Sequence, residues 1–104
     1  MSIYMLAYYG GEKPEKPEHC EGHLLQWEDW EESLGNGLID PGRPLGNHKA
    51  INSAGVTDSN PNPLTGFSIL EAGDIDSALE MVKNNPHLKV GGTIEVAELM
   101  DKCH

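Results

Sequence analysis

The stretch SIYMLAYY at residues 2–9 constrains this fold more than any other part of the chain. Side chains alternate between the two faces of a strand, and here both faces are apolar: Ile3, Met5 and Ala7 on one, Tyr4, Leu6 and Tyr8 on the other. Such a strand calls for cover on each face of its sheet. Gly10-Gly11 ends it, and residues 12–18 (EKPEKPE), with Pro14 and Pro17, form an exposed connection. Pro17 suits the first turn of a helix, where a missing N–H costs nothing.

From His19 to Leu34 the period becomes helical. His23, Trp27, Trp30 and Leu34 share one stripe with Leu24 beside it, while the run Glu28–Glu32 reads as a solvated face. Gly35 is placed as the left-handed stop. Residues 37–45 (GLIDPGRPL) read as a short, interrupted strand that Pro41 and Pro44 confine to an edge. Gly46-Asn47 is a turn, 48–52 a short strand, and 54–66 (AGVTDSNPNPLTG) a loop whose length goes with function or mobility. Phe67–Ala72 is a strand, and Asp74 caps a second helix with Ile75, Ala78, Leu79 and Val82 as its apolar stripe. Asn84, Asn85 and Pro86 end that helix, and Gly91-Gly92 lead into a last strand, Thr93–Met100.

The order β-α-β-β-α-β is the split βαβ, ferredoxin-like α+β plan, an antiparallel sheet with both helices on one face. We expect it to form a single domain over residues 1–104. The other sheet face has no helix, and a second copy of the chain is the simplest cover for it. A homodimer is expected.

Composition narrows the partners. Lys and Arg number 7 against 17 Asp and Glu, a formal net charge of −10, and a field of that sign repels phosphate backbones and anionic lipid. Neither nucleic acid nor a membrane surface is an expected partner. No run approaches the ~20 apolar residues of a membrane span, and the opening MSIYMLA lacks the basic leader of an export signal. Cys20 and Cys103 could make one bridge, but without an export signal they read more simply as free thiols in a cytoplasmic protein.

The segments YMLAYYG (4–10), HLLQWEDW (23–30), GFSILEA (66–72) and GGTIEVAEL (91–99) resemble the YCII-related family, in particular its DGPF-domain branch. The resemblance runs over nearly the whole chain, and GFSILEA and the ending are its more specific parts. It implies a ferredoxin-like fold assembled as a dimeric α/β barrel, with pockets between sheet and helices. The branch's Asp-Gly-Pro-Phe stretch falls on Asp58-Ser59-Asn60-Pro61, where only the aspartate is kept. The family is suspected of enzymatic function because of a histidine and an aspartate. The histidine falls on His23, and Asn85 stands at the place of the aspartate.

His23 heads the stripe that ends in Leu34. Near a helix N-terminus the dipole disfavours the imidazolium, and a neutral ring is what a general base requires. The plainer reading is a histidine satisfied by a backbone carbonyl at the core's edge. Asp58, in the long loop, is a candidate second catalytic group or a solvated cap; Asp40 precedes Pro41 and is a turn former or a pocket residue. Glu71 lies in phase with Phe67 and Ile69. Tyr8, Trp27, Asp40 and His87 are the candidate substrate-binding residues; Tyr8 and Trp27 also suit the core, and His87, after Pro86, is expected in an exposed loop. His19 and His23 are one turn apart with Cys20 between them, but no third ligand stands near, so no metal site is assigned. The Walker, dinucleotide-binding and serine-hydrolase glycine motifs are absent.

Two functions follow from this reading. One is a small cofactor-independent lyase or isomerase of a compact organic acid, with His23 moving the proton, as fold analogy with muconolactone-isomerase and dehydrochlorinase types allows. The other is a non-catalytic dimeric module for a small ligand or partner.

Overall fold

The computed structural model describes residues 1–11, 17–58 and 63–100, without the side chains of residues 17–23. The elements run β1 (Ser2–Gly10), α1 (Pro17–Leu34), a 3-10 turn at Gly35–Gly37, β2 (Leu38–Asp40), β3 (Ala50–Asn52), β4 (Gly55–Thr57), β5 (Leu64–Ala72), α2 (Ile75–Val82), α3 (Pro86–Lys89) and β6 (Gly92–Glu98). Four strands make an antiparallel sheet in the order β2-β5-β1-β6. The chain is α+β, and this sheet is compatible with the ferredoxin-like class.

The opening strand lies inside the sheet, between β5 and β6. Tyr4, Leu6 and Tyr8 stand opposite Leu70, Ser68 and Gly66 of β5 and opposite Glu98, Val96 and Ile94 of β6. This face carries the core, in which Tyr4, Leu6, Tyr8, Leu70 and Ala72 meet Trp30 of α1 and Ala78 and Val82 of α2. Trp30 Nε1 donates to the Met81 carbonyl at 2.9 Å, so the indole both fills the core and ties α1 to α2. Asp74 caps α2 by accepting from the Ser77 N–H at 2.8 Å, and that bond holds its carboxyl below the usual range. Gly35 has the left-handed φ of +54° expected of a stop.

Three elements differ from the sequence reading. The strand expected over 48–52 is Ala50–Asn52, and it pairs with β4 instead of joining the main sheet. β4 itself lies within the stretch expected to be without structure; a tight turn, in which Asn52 Oδ1 accepts from the Ala54 N–H at 2.8 Å, closes the hairpin. Asn85-Pro86 does more than end α2. Asn85 Oδ1 accepts from the His87 N–H at 2.8 Å and Pro86 occupies the first helical position, so the pair opens α3. On α1, Trp27 and Leu34 pack against the core as the stripe predicts, whereas Leu24 is exposed. Pro41 and Pro44 do lie along the edge, after the short β2, with a single bridge from Pro44 to Gly66.

Candidate functional site

Three of the candidate residues, Tyr8, Trp27 and His87, meet at the C-terminal end of β1. Tyr8 points to the helix side, where its ring meets Trp27 edge-on at 5.2 Å and the His87 imidazole at 5.3 Å. Trp27 in turn meets Trp30 edge-on at 5.8 Å. His87 is not in an exposed loop: it is 7% exposed, because α3 folds back over the sheet and carries it inward. Its Nε2 lies 2.9 Å from the Tyr9 carbonyl. A carbonyl only accepts, so Nε2 carries the proton in this bond. Gly11 and Gly92 make the room: a Cβ at either position would press into the imidazole.

The polar groups beneath this aromatic cluster form a directed chain. Ser68 Oγ donates to the Pro41 carbonyl at 2.8 Å, and its one proton is thereby spent. Tyr8 must then be the donor in its 2.7 Å bond with Ser68, and Asn85 Nδ2 donates to the Tyr8 oxygen at 3.4 Å. Burial pushes the Tyr8 phenol up to about 12, against the opposite pull of its bonds with Ser68 and Asn85. Near neutral pH it is a proton-bearing donor and no base. Asn85, 0% exposed, satisfies both ends of its amide, one on Tyr8 and one on the His87 N–H. A carboxylate there would keep the cap but lose the donor to Tyr8, and would bury a charge among neutral groups. The buried polar residues among those described are Ser68, Asn85 and His87, with no carboxylate.

The acidic candidates lie elsewhere. Asp40 is exposed and accepts from the Gly42 N–H at 2.8 Å, the turn-forming role expected of Asp before Pro. Asp58 is exposed and sits 3.3 Å from Lys49 Nζ. Glu71 is half-buried on β5, opposite Ile3, on the face away from the helices. His23 is part of α1, four residues before Trp27, but its side chain lies outside the described residues, as do those of His19 and Cys20. Residues 59–61 of the expected Asp-Gly-Pro-Phe stretch, Cys103 and His104 also lie outside them. Among the described residues no group of three His, Cys, Asp or Glu is placed to hold a metal, and no helix is long and apolar enough to cross a membrane.

An open groove of about 730 Å³ lies at the same end of β1, lined by Gly10, Gly11, Leu45–Lys49, Asp58 and Pro63–Thr65. Gly11 lines it and lies beside the imidazole, where a Cβ would press on the ring, so one residue of backbone separates groove and cluster. The groove offers apolar walls in Leu45, Pro63 and Leu64, and a cation in Lys49. Sequence reasoning named Tyr8, Trp27, His87 and Asp58 here but missed Ser68, Asn85 as a partner of Tyr8, and Lys49. A signal for Ser68 was present: it is a small polar residue in phase with Leu70 and Ala72 on an otherwise apolar strand face. No protein-family model and no curated protein matches the chain.

Proposed function

We propose that this chain is a YCII-like domain that pairs as a homodimer through the open face of its sheet and binds a compact organic acid in the groove beside Gly10-Gly11. The observation that carries the binding reading is the groove itself. Its volume lies in the range of small-ligand sites, and Lys49 is positioned to exchange its exposed aspartate partner for a ligand carboxylate. Binding without catalysis fits the neighbouring cluster, where His87 Nε2, Tyr8, Ser68 and Asn85 are committed to internal bonds and no described carboxylate is buried. The half-buried apolar side chains of Ile3, Met5, Phe67 and Ile69, which lie outside the core cluster, support the homodimer.

A second reading keeps the enzyme. His23, four residues before Trp27 on α1, is the proton-transfer residue of that reading, in a lyase or isomerase reaction without a metal or cofactor. A thermal-shift screen of small carboxylic acids, followed by NMR of each hit with wild type, Lys49→Met and His23→Ala, separates the two. The binding module predicts a hit left chemically unchanged, weakened at least tenfold by Lys49→Met and bound normally by His23→Ala. Turnover of the hit by wild type, abolished in a folded His23→Ala protein, replaces it with the enzyme.

A further inference from the structure

The groove beside Gly10-Gly11 carries a second nitrogen base next to Lys49. His48 lines it and is exposed, and its Nδ1 lies 3.4 Å from the Gly46 carbonyl. A carbonyl only accepts, so Nδ1 holds the proton of a neutral ring and Nε2 is left as a bare acceptor. The bond to Gly46 is kept in the imidazolium, where Nε2 gains a proton of its own. A bare Nε2 repels a carboxylate oxygen, whereas a protonated one forms a charge-assisted hydrogen bond with it.

Charge in the groove decides between the two forms. Lys49 and Asp58, 3.3 Å apart, cancel each other in the protein alone. The other lining residues, Gly10, Gly11, 45–47 and 63–65, carry no titratable side chain, so Lys49 and Asp58 are the groove charges that face His48. An incoming carboxylate sets two anions against one ammonium, in a chain of net charge −10. A third charge of positive sign restores the balance, and histidine is the side chain whose charge changes between about pH 5 and 8.

We infer that His48 is a second hold on the acid and grips it only as the imidazolium, so that the groove takes up a proton with its ligand and binds more tightly as pH falls. This rests on the acid-binding reading of the groove and adds a residue and a direction to it. The sign follows from reciprocity: if the bound acid favours the protonated ring, protonation favours the bound acid by the same factor.

The test is isothermal titration of benzoate, a compact acid ionised across the range, at pH 6 and pH 8. It is run on wild type, His48→Ala, His48→Lys and Lys49→Met, with far-UV circular dichroism to check the fold. Wild type should bind benzoate about five- to tenfold more tightly at pH 6 than at pH 8. His48→Ala should match wild type at pH 8 within about twofold and stay flat down to pH 6. His48→Lys, with a fixed cation, should bind at pH 8 as tightly as wild type does at pH 6. Binding that Lys49→Met weakens but pH leaves unchanged overturns the role of His48 and leaves the groove reading standing. A His48→Ala protein that keeps the wild-type pH dependence does the same. No benzoate binding at pH 6 overturns the double hold, while the wider screen of acids still decides the groove. Benzoate bound equally well by wild type and Lys49→Met overturns both.

Discussion

Along β1 and β5, neighbouring residues of similar chemistry meet opposite environments. Leu6 and Leu70 are sealed at 0% exposure beneath α1 and α2, while Met5 and Ile69, next to them in sequence and opposite each other in register, are half-buried on the face without helices. The covered face also handles its polar groups differently, since Tyr8, Ser68 and Asn85 satisfy one another and end on a backbone carbonyl. At the hairpin, by contrast, the polar pair Lys49–Asp58 stands in solvent. Alternation in a strand thus announces two neighbours, of which the described helices supply one. Whether the second is another copy decides how mutations on the two faces behave.

The largest expected effect lies on the covered face. Leu70→Ala removes a fully buried side chain where helices limit relaxation, and its unfolding free energy should fall by about 3 kcal/mol at every protein concentration. Ile69→Ala should cost less than about 1.5 kcal/mol in dilute protein, and its cost should grow with concentration as a dimer forms. Urea unfolding of both variants at two concentrations a hundredfold apart makes the measurement. If Ile69→Ala shows no concentration dependence, the second face needs no partner copy.

Next comes Gly92→Ala. Its methyl group would overlap the His87 imidazole, which is buried and held by the Tyr9 carbonyl. Overpacking of this kind costs about 1–3 kcal/mol, and displacement of the ring forfeits roughly 1 kcal/mol more for the hydrogen bond. Urea unfolding measures the loss; a change below ~0.5 kcal/mol would mean that the ring has free room behind it.

Tyr8→Phe should cost about 1–2 kcal/mol, because Asn85 Nδ2 loses its acceptor and Ser68 a donor in a buried site. It also tests the phenol's titration. Tyr8 is raised in the folded state from 10.0 to about 12, so its contribution is complete below pH 10 and is lost as pH rises toward 12. The fall has a limiting slope of ~1.4 kcal/mol per pH unit. Wild type should lose stability over that window more steeply than Tyr8→Phe in matched denaturation curves. Equal slopes would place the hydroxyl in water.

Much of the fold was legible where a residue's local chemistry and its tertiary place agree. The doubly apolar β1, the Asp74 cap, the Gly35 stop and the edge position of Pro41 and Pro44 are of this kind. Legibility failed where one residue had two possible duties. Asn85 followed by Pro86 reads equally as a helix end and as the cap of a new helix, and only the packing of α3 against α1 and β6 selects the second and turns His87 inward. Only the first strand of the hairpin is legible, as residues 48–52; β4 is three residues long and lies among turn formers, so no alternation can show. Of the candidate site, the aromatic members were visible by period. The chain through Ser68 and Asn85 was not, since it joins residues 60 and 77 positions from Tyr8.

The smallest effect separates the two regions from the solvent side. Lys49 and Asp58 are both exposed, with side chains 69% and 79% accessible, so Asp58→Asn should change unfolding free energy by less than about 0.5 kcal/mol in dilute protein, and raised salt should mask even that. The same substitution frees Lys49, so a carboxylate ligand in the groove should bind more tightly to it than to wild type, read by isothermal titration with an acid found in the screen. Weaker binding would instead make Asp58 a contact to the ligand. A loss of stability above ~1 kcal/mol that appears only at high protein concentration would mean that the ion pair becomes buried when the copies meet, since breaking a desolvated pair costs far more than breaking one in water. The hairpin root would then belong with the covered regions of the molecule.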